Sequence, residues 1–194
     1  RDLHLRGADG APLPDKVMLL EDLAALIRQQ GAHPDAVLQL DYKQDAAALT
    51  PAATATFALA LRPVSGHFIL SAGDAAAVTL LADRVPGLRI GFDPCYDGIL
   101  ERLKGTLDFT GFVAQTVASS PRAQMIYLNH RLVLTAGELG FDLIAAFHAA
   151  GRRVDAYTIE TADDAGVAIA LRLLELKADQ ITTDDPEGLA QALA

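Results

Sequence analysis

Short apolar runs punctuate the chain at the spacing of a strand-plus-helix unit. They fall at Ala36–Tyr42, His67–Ser71, Leu88–Phe92, Gln124–Leu128, Val154–Ile159 and Ala178–Thr182. Runs of this length read as strands. Ile-Tyr-Leu and Leu-Arg-Ile-Gly-Phe are too apolar for a sheet with one wet face, so the strands are read as covered on both faces. The stretches between them carry helical periodicity. Over Val17–Gln30, the residues Val17, Leu20, Leu23, Ala24 and Ile27 form one stripe, closed by Gly31 and Pro34. Asp74–Val85 starts with an Asp74 cap and stops at Pro86-Gly87. Ala136–Ala150 is read as one helix ending at Gly151. Thr161 is read as the cap of Ala162–Leu176, with Asp164 as a weak capping-box partner. Glu187–Ala194 follows Pro186 as a short last helix. Arg1–Pro14, with its glycines and prolines, is read as an extended lead-in, and Tyr96–Lys104 as a connection of no assigned element.

Alternation of this kind predicts βαβ units and a parallel sheet. Two α/β architectures fit: an open doubly wound sheet and a (β/α)8 TIM-type barrel. The doubly wound sheet calls for a glycine-rich phosphate loop after an early strand. Gly7-Ala8-Asp9-Gly10 follows no convincing strand. A barrel of about 250 residues spends about 31 on each unit. A chain of 194 residues then holds about six units, which matches the six strands. The expectation is a single domain over residues 1–194 forming an incomplete barrel, the C-terminal three-quarters of the whole.

Composition narrows the function. Apolar residues make up 51% and charged residues 21%, a globular profile rather than a disordered one. Sixteen basic against 25 acidic residues give a net charge of −9, which argues against nucleic-acid partners. One cysteine, Cys95, excludes an internal disulfide framework and a cysteine-rich zinc site. No apolar run is long enough for a membrane span, and no signal peptide is visible. The chain does not begin with Met, so it is read as a fragment, with cytoplasmic location as the expectation.

In parallel α/β folds the chemistry gathers at the C-terminal ends of the strands. Those ends are polar here: Asp41-Tyr42-Lys43, Ser71, Asp93, Asn129-His130, Glu160 and Thr182–Pro186. Loops are polar in any case, so position alone says little. Asp41 and Lys43 rise above that background, because residues two apart share a face of a strand. With Gln39 they place a carboxylate and an ammonium side by side. The carboxylate suits a hard cation such as Mg2+ or Ca2+ and the lysine suits a phosphate. An internal Asp–Lys ion pair explains the same two residues. His148 reads as structural. His33 and His67 flank strand starts, at the wrong end for chemistry. Cys95 reads as a small buried apolar residue.

The motifs taken together resemble the glycerophosphodiester phosphodiesterase family. Gly10-Ala11-Pro12-Leu13-Pro14 followed by Leu20-Glu21-Asp22-Leu23 is similar to that family's "G-x-P-x-P…L-E-x-L". Leu38–Lys43 resembles its strand ending Glu-x-Lys, and Phe68–Ser71 its strand ending in Ser. Val154–Ile159 resembles "V-x-x-W-T-V", and Ala178–Pro186 resembles the closing "G-V-D-G-I-I-T-D-x-P". The resemblance implies a phospholipase-C-like barrel of lipid metabolism that hydrolyses glycerophosphodiesters to an alcohol and glycerol 3-phosphate with a divalent metal, Mg2+ or Ca2+. It implies Asp41 as a metal ligand, Lys43 on a phosphate oxygen and Tyr157 as a substrate wall. Ser71, Asn129 and Glu160 are added as pocket candidates on strand-end position alone. The family's His-Arg-Gly strand, Glu-x-Asp strand and His-Asp pair have no match here. The catalytic histidines are thus expected upstream and none in this chain. Asp41 stands where the family has Glu, and Tyr157 where it has Trp. Two rivals remain: a degenerate, non-catalytic barrel serving as a binding module, and another barrel enzyme acting on a phosphorylated substrate. An open six-stranded piece is also expected to self-associate through its sheet edges.

Overall fold

In the computed structural model, which describes residues 3–7 and 9–194, the six apolar runs form six strands of one parallel sheet. A short antiparallel pair, β1 (His4–Arg6) and β2 (Pro12–Lys16), precedes them. The lead-in is therefore a hairpin rather than plain extended chain; Arg1, Asp2 and Ala8 lie outside the described residues. The sheet strands are β3 (Leu38–Tyr42), β4 (Phe68–Ala72), β5 (Arg89–Phe92), β6 (Met125–Asn129), β7 (Arg153–Ile159) and β8 (Gln180–Thr183). They pair in strict chain order, all parallel, and the sheet curls as an incomplete (β/α) barrel.

Helices α1 (Leu20–Gln30), α2 (Pro51–Leu61), α3 (Ala75–Ala82), α4 (Ile99–Thr106), α5 (Phe109–Ser119), α6 (His130–Glu138), α7 (Leu143–Ala149), α8 (Asp164–Glu175) and α9 (Pro186–Ala192) occupy the connections. Asp side chains cap five of them: Asp74 accepts from the Ala76 N–H, Asp108 from that of Gly111, Asp142 from that of Ala145, Asp163 from that of Gly166 and Asp185 from that of Gly188, while Thr50 caps α2 and Asn129 caps α6. Each cap satisfies an orphan N–H of a first turn.

Three readings need correction. The helix read over Ala136–Ala150 covers only the end of α6, which starts six residues earlier at His130, and then the whole of α7: Gly140 adopts φ 84 and Asp142 starts α7 anew. Thr161 does not cap α8; Asp163 does, and the Thr161 hydroxyl donates to Asp163 at 3.1 Å. Tyr96–Lys104 holds most of α4.

The pleat sorts the strand residues. Phe68, Leu70 and Ala72, Ile90 and Phe92, Ile126 and Leu128, and Val154 and Ala156 point outward into the core beneath the helices. Their alternates point into the barrel. There Ile69, Met125 and Tyr127 pack together against Tyr157 as a small interior cluster. The strands β4 to β7 are largely buried, whereas β3 and β8 form the two edges and are mostly exposed or half-buried.

Candidate active-site cleft

The inward alternates that follow the apolar plug are polar. Gln39, Asp41, Lys43, Ser71, Asp93, Tyr127, Tyr157, Thr158 and Thr182 line a cleft of about 330 Å3 at the C-terminal ends of the strands. Parallel pairing sets Asp41 of β3 opposite Ser71 of β4. The Gln39 side-chain amide donates to the Ser71 hydroxyl at 2.9 Å, which fixes that hydroxyl across the strand pair. Lys43 and Asp41 form an ion pair at 2.5 Å, both exposed to the cleft.

Opposite them stands Asp93, just past β5. Its carboxylate accepts from the Tyr157 hydroxyl at 3.1 and 3.0 Å and from the Cys95 N–H at 2.8 Å. Burial pushes the Asp93 carboxyl above its ordinary range, against the opposing pull of the Cys95 N–H, the Tyr157 hydroxyl and the Lys43 charge. Deeper in the barrel, Asp155 is fully buried and accepts from the Thr182 hydroxyl at 3.0 Å on each oxygen. Burial pushes it up to about 6. Burial likewise raises the Tyr127 and Tyr157 phenols, so both stay protonated. Gly91 faces the barrel interior because Tyr127 needs the space: a Cβ there would collide with the Tyr127 ring and touch the Ser71 side chain.

Four of the six sequence candidates meet in this cleft: Asp41, Lys43, Ser71 and Tyr157. Asn129 does not; its side chain caps α6 by accepting from the Arg131 N–H, and it lines an adjoining cavity. Glu160 lies exposed past the end of β7 and lines neither cavity. The sequence reading passed over Tyr127 and Asp155, and noted Asp93 and Thr182 only as polar strand ends. Their signal was the period-two rule: Gly91 and Asp93, and Asp155 and Tyr157, share a face just as Asp41 and Lys43 do. Cys95 is held between backbone groups, bonding the Tyr127 carbonyl and receiving the Asn129 N–H, and burial pushes its thiol up to about 12. It is half-buried and hydrogen-bonded rather than a buried apolar residue, and its raised thiol makes it a weak nucleophile.

Hard-oxygen chemistry would suit Mg2+ or Ca2+ in this cleft. Among the described residues, however, no three His, Cys, Asp or Glu side chains converge as a metal cage. Asp41 fits as one oxygen donor and no more.

A parallel, sequentially paired sheet with helices outside and a polar cleft at the strand C-termini defines a barrel-type α/β fold, incomplete by its strand count. Solved glycerophosphodiester phosphodiesterases have this fold. One from Parabacteroides distasonis is 13% identical, with a TM-score of 0.61 over 97% of this chain and 67% of that chain. A candidate glycerophosphodiester phosphodiesterase from Galdieria sulphuraria is 17% identical, with a TM-score of 0.65 over 97% and 67%. A glycerophosphoryl diester phosphodiesterase, also from P. distasonis, is 14% identical, with a TM-score of 0.58 over 98% and 60%. The chain thus spans about two-thirds of their length, and at these identities the likeness is one of fold. No protein-family model and no curated protein matches the sequence. Among the described residues no single helix is long and apolar enough to cross a membrane.

Proposed function

We propose that this chain supplies the substrate-facing half of a metal-dependent phosphodiesterase cleft that hydrolyses glycerophosphodiesters to an alcohol and glycerol 3-phosphate. The observation that supports this most is the charge arrangement of the cleft. Lys43 stands among Asp41, Asp93 and the deeper Asp155. Such a cleft repels a phosphodiester unless a further cation is interposed, which is the electrostatic condition that a divalent ion meets. That ion, Mg2+ or Ca2+, neutralises charge developing on the phosphoryl oxygens when bound. Asp41 provides one of its oxygen ligands, beside others from outside the cleft residues described.

The chain's own groups then have plain tasks. Lys43 holds a phosphate oxygen from the exposed end of β3. The Ser71 hydroxyl, aimed by Gln39, offers a hydrogen bond to a substrate oxygen. The Tyr157 ring, tethered through its hydroxyl to Asp93, walls the substrate. The proton for the leaving alkoxide must come from an imidazole or comparable acid, and the side chains lining this cleft include no histidine. The same observation favours the second reading, in which the 194-residue chain binds without turnover.

Glycerophosphocholine hydrolysis by the protein in its full natural length, with Mg2+ or Ca2+ and with an EDTA control, separates the two. Metal-dependent release of glycerol 3-phosphate, reduced at least tenfold by Lys43→Ala, supports the phosphodiesterase. No turnover by folded protein with either metal moves the assignment to a binding barrel.

A further inference from the structure

The cleft has a neighbour. A cavity of about 310 Å3 lies between the Cys95–Leu100 segment and the start of α6, and it shares Tyr157 with the cleft. Its walls differ in kind. Ile99 and Leu132 give buried apolar surface, and Tyr96 stands at the opening with 57% of its surface exposed. Asn129 turns its carboxamide oxygen to the Arg131 N–H, which leaves the amide hydrogens to donate. The charged residues are Asp97 and Arg131, both exposed. The Arg131 guanidinium has no carboxylate or carbonyl partner among the described residues. The wall shared with the cleft is held by hydrogen bonds. The Asn129 N–H meets the Cys95 sulfur at 3.4 Å, the Cys95 N–H meets Asp93, and His130 Nδ1 sits 3.1 Å from the Tyr157 carbonyl oxygen. The cavity is thus a built extension of the cleft, on the far side of the Tyr157 ring.

The two chambers have opposite electrostatic characters. The cleft is lined by one lysine against two carboxylates, with the buried Asp155 beneath them. The neighbour holds one cation against one anion, with the cation forked and unpaired. A diester whose phosphate lies by Lys43 extends one arm past Tyr157 into this second chamber. An arm bearing a carboxylate or second phosphate meets a guanidinium that matches it bidentately. A quaternary or primary ammonium arm meets that same guanidinium as a like charge.

We propose that the chamber beside Tyr157 receives the alcohol half of the diester and that Arg131 makes it prefer alcohols carrying an anionic group. This rests on the phosphodiesterase reading given above. The test compares two esters differing by a single carboxylate, glycerophosphoserine and glycerophosphoethanolamine, on the full natural protein. The expected result is a ratio of kcat/KM favouring the serine ester. Arg131→Ala lowers that ratio about fivefold, Arg131→Glu inverts it, and Arg131→Lys retains part of it. Hydrolysis of both esters with a ratio that none of the three variants moves overturns the proposal and leaves the phosphodiesterase standing. A second arm needs no turnover: amide NMR shifts on adding O-phosphoserine or O-phosphoethanolamine. Shifts at Tyr96, Asn129 and Arg131 that are larger for phosphoserine, and that shrink in Arg131→Ala, support the chamber even if neither ester is hydrolysed. Equal shifts for both ligands, or none at these residues, overturn it.

Discussion

The Tyr157 hydroxyl donates to both carboxylate oxygens of Asp93, at 3.1 and 3.0 Å, across 64 residues of sequence. The bond joins β7 to the end of β5 across β6. Tyr157→Phe leaves the ring in place and removes the donor. Asp93 then keeps the Cys95 N–H but loses its side-chain partner in a largely buried setting. The expected loss is about 1–3 kcal/mol in urea unfolding, because a buried acceptor is left under-satisfied. Asp93→Asn should cost less, since a carboxamide oxygen still accepts. In the double variant the two effects should be clearly non-additive.

Asp155 gives the fold a pH dependence of unusual sign. Its folded carboxyl is raised to about 6, by burial first, against an unfolded value of about 4. The native state therefore holds the proton more tightly than the unfolded state does between those values. From this group, stability is greatest below about pH 4, falls as pH rises to about 6, and stays reduced above it. Two pKa units correspond to about 3 kcal/mol. Asp155→Asn should remove that decline. Chemical denaturation of both proteins at pH 4, 5, 6 and 7 checks it: the difference in stability, variant minus wild type, should grow with pH and then level off.

Asp179 works in the other direction. It accepts from the Val154 N–H at 2.8 Å and lies 2.8 Å from His148 Nε2, tying α7 to the start of β7. Although burial opposes it, these partners hold its carboxyl below the ordinary value. Its contribution is thus present above about pH 4 and lost as pH falls through the lowered folded value. Asp179→Ala should cost about 1–2 kcal/mol at pH 7 and much less near pH 2, read from thermal unfolding at both.

Gly91→Ala tests the packing under the cleft. The added methyl meets the Tyr127 ring, a stiff neighbour, so about 1–3 kcal/mol of destabilisation is expected. Phenylalanine in place of Tyr127 leaves that clash unrelieved, whereas Tyr127→Leu in the Gly91→Ala background should recover part of the loss.

Lys43 and Asp41 are exposed enough that their ion pair contributes little to folding. Lys43→Ala and Asp41→Ala should each change the unfolding free energy by less than about 1 kcal/mol. Any loss of ligand binding or activity in these variants is then a loss at the site and not of the fold.

The strands were legible to within one or two residues because a strand covered on both faces writes itself as an apolar run. The barrel followed from their number and spacing. The break between α6 and α7 was masked by the apolar residues on either side of it, Leu139, Phe141, Leu143 and Ile144. Only Gly140 and Asp142 marked it, and each is common enough inside helices and loops to pass unnoticed. At the site, Asp41 and Lys43 stood out because two charges within one short strand are rare. Asp93 and Asp155 did not. The first sits where loops are polar anyway, and the second is enclosed by Thr182, a residue 27 positions away. What makes each of them chemically distinct is desolvation, which depends on neighbours that only the folded sheet supplies. Asn129 and Glu160 show the reverse error: a strand-end position puts a residue near the cleft, while Asn129 is drawn off to cap α6 and Glu160 lies exposed past the end of β7.

The strict chain-order pairing of β3 through β8 also sets how the molecule breathes. Interior strands such as β6 are held by neighbours on both sides, whereas β3 and β8 each have one parallel partner and exposed surface, with Leu38 40% exposed. Local opening should therefore begin at the two rims and progress inward. Amide deuteration would show a gradient, fastest at β3 and β8 and slowest at β6. Since Asp41 sits on one of the two loosest strands, with Lys43 just past its end, and Tyr157 sits on one of the tighter ones, the Asp41–Lys43 side of the cleft is the side that yields before the Tyr157 side.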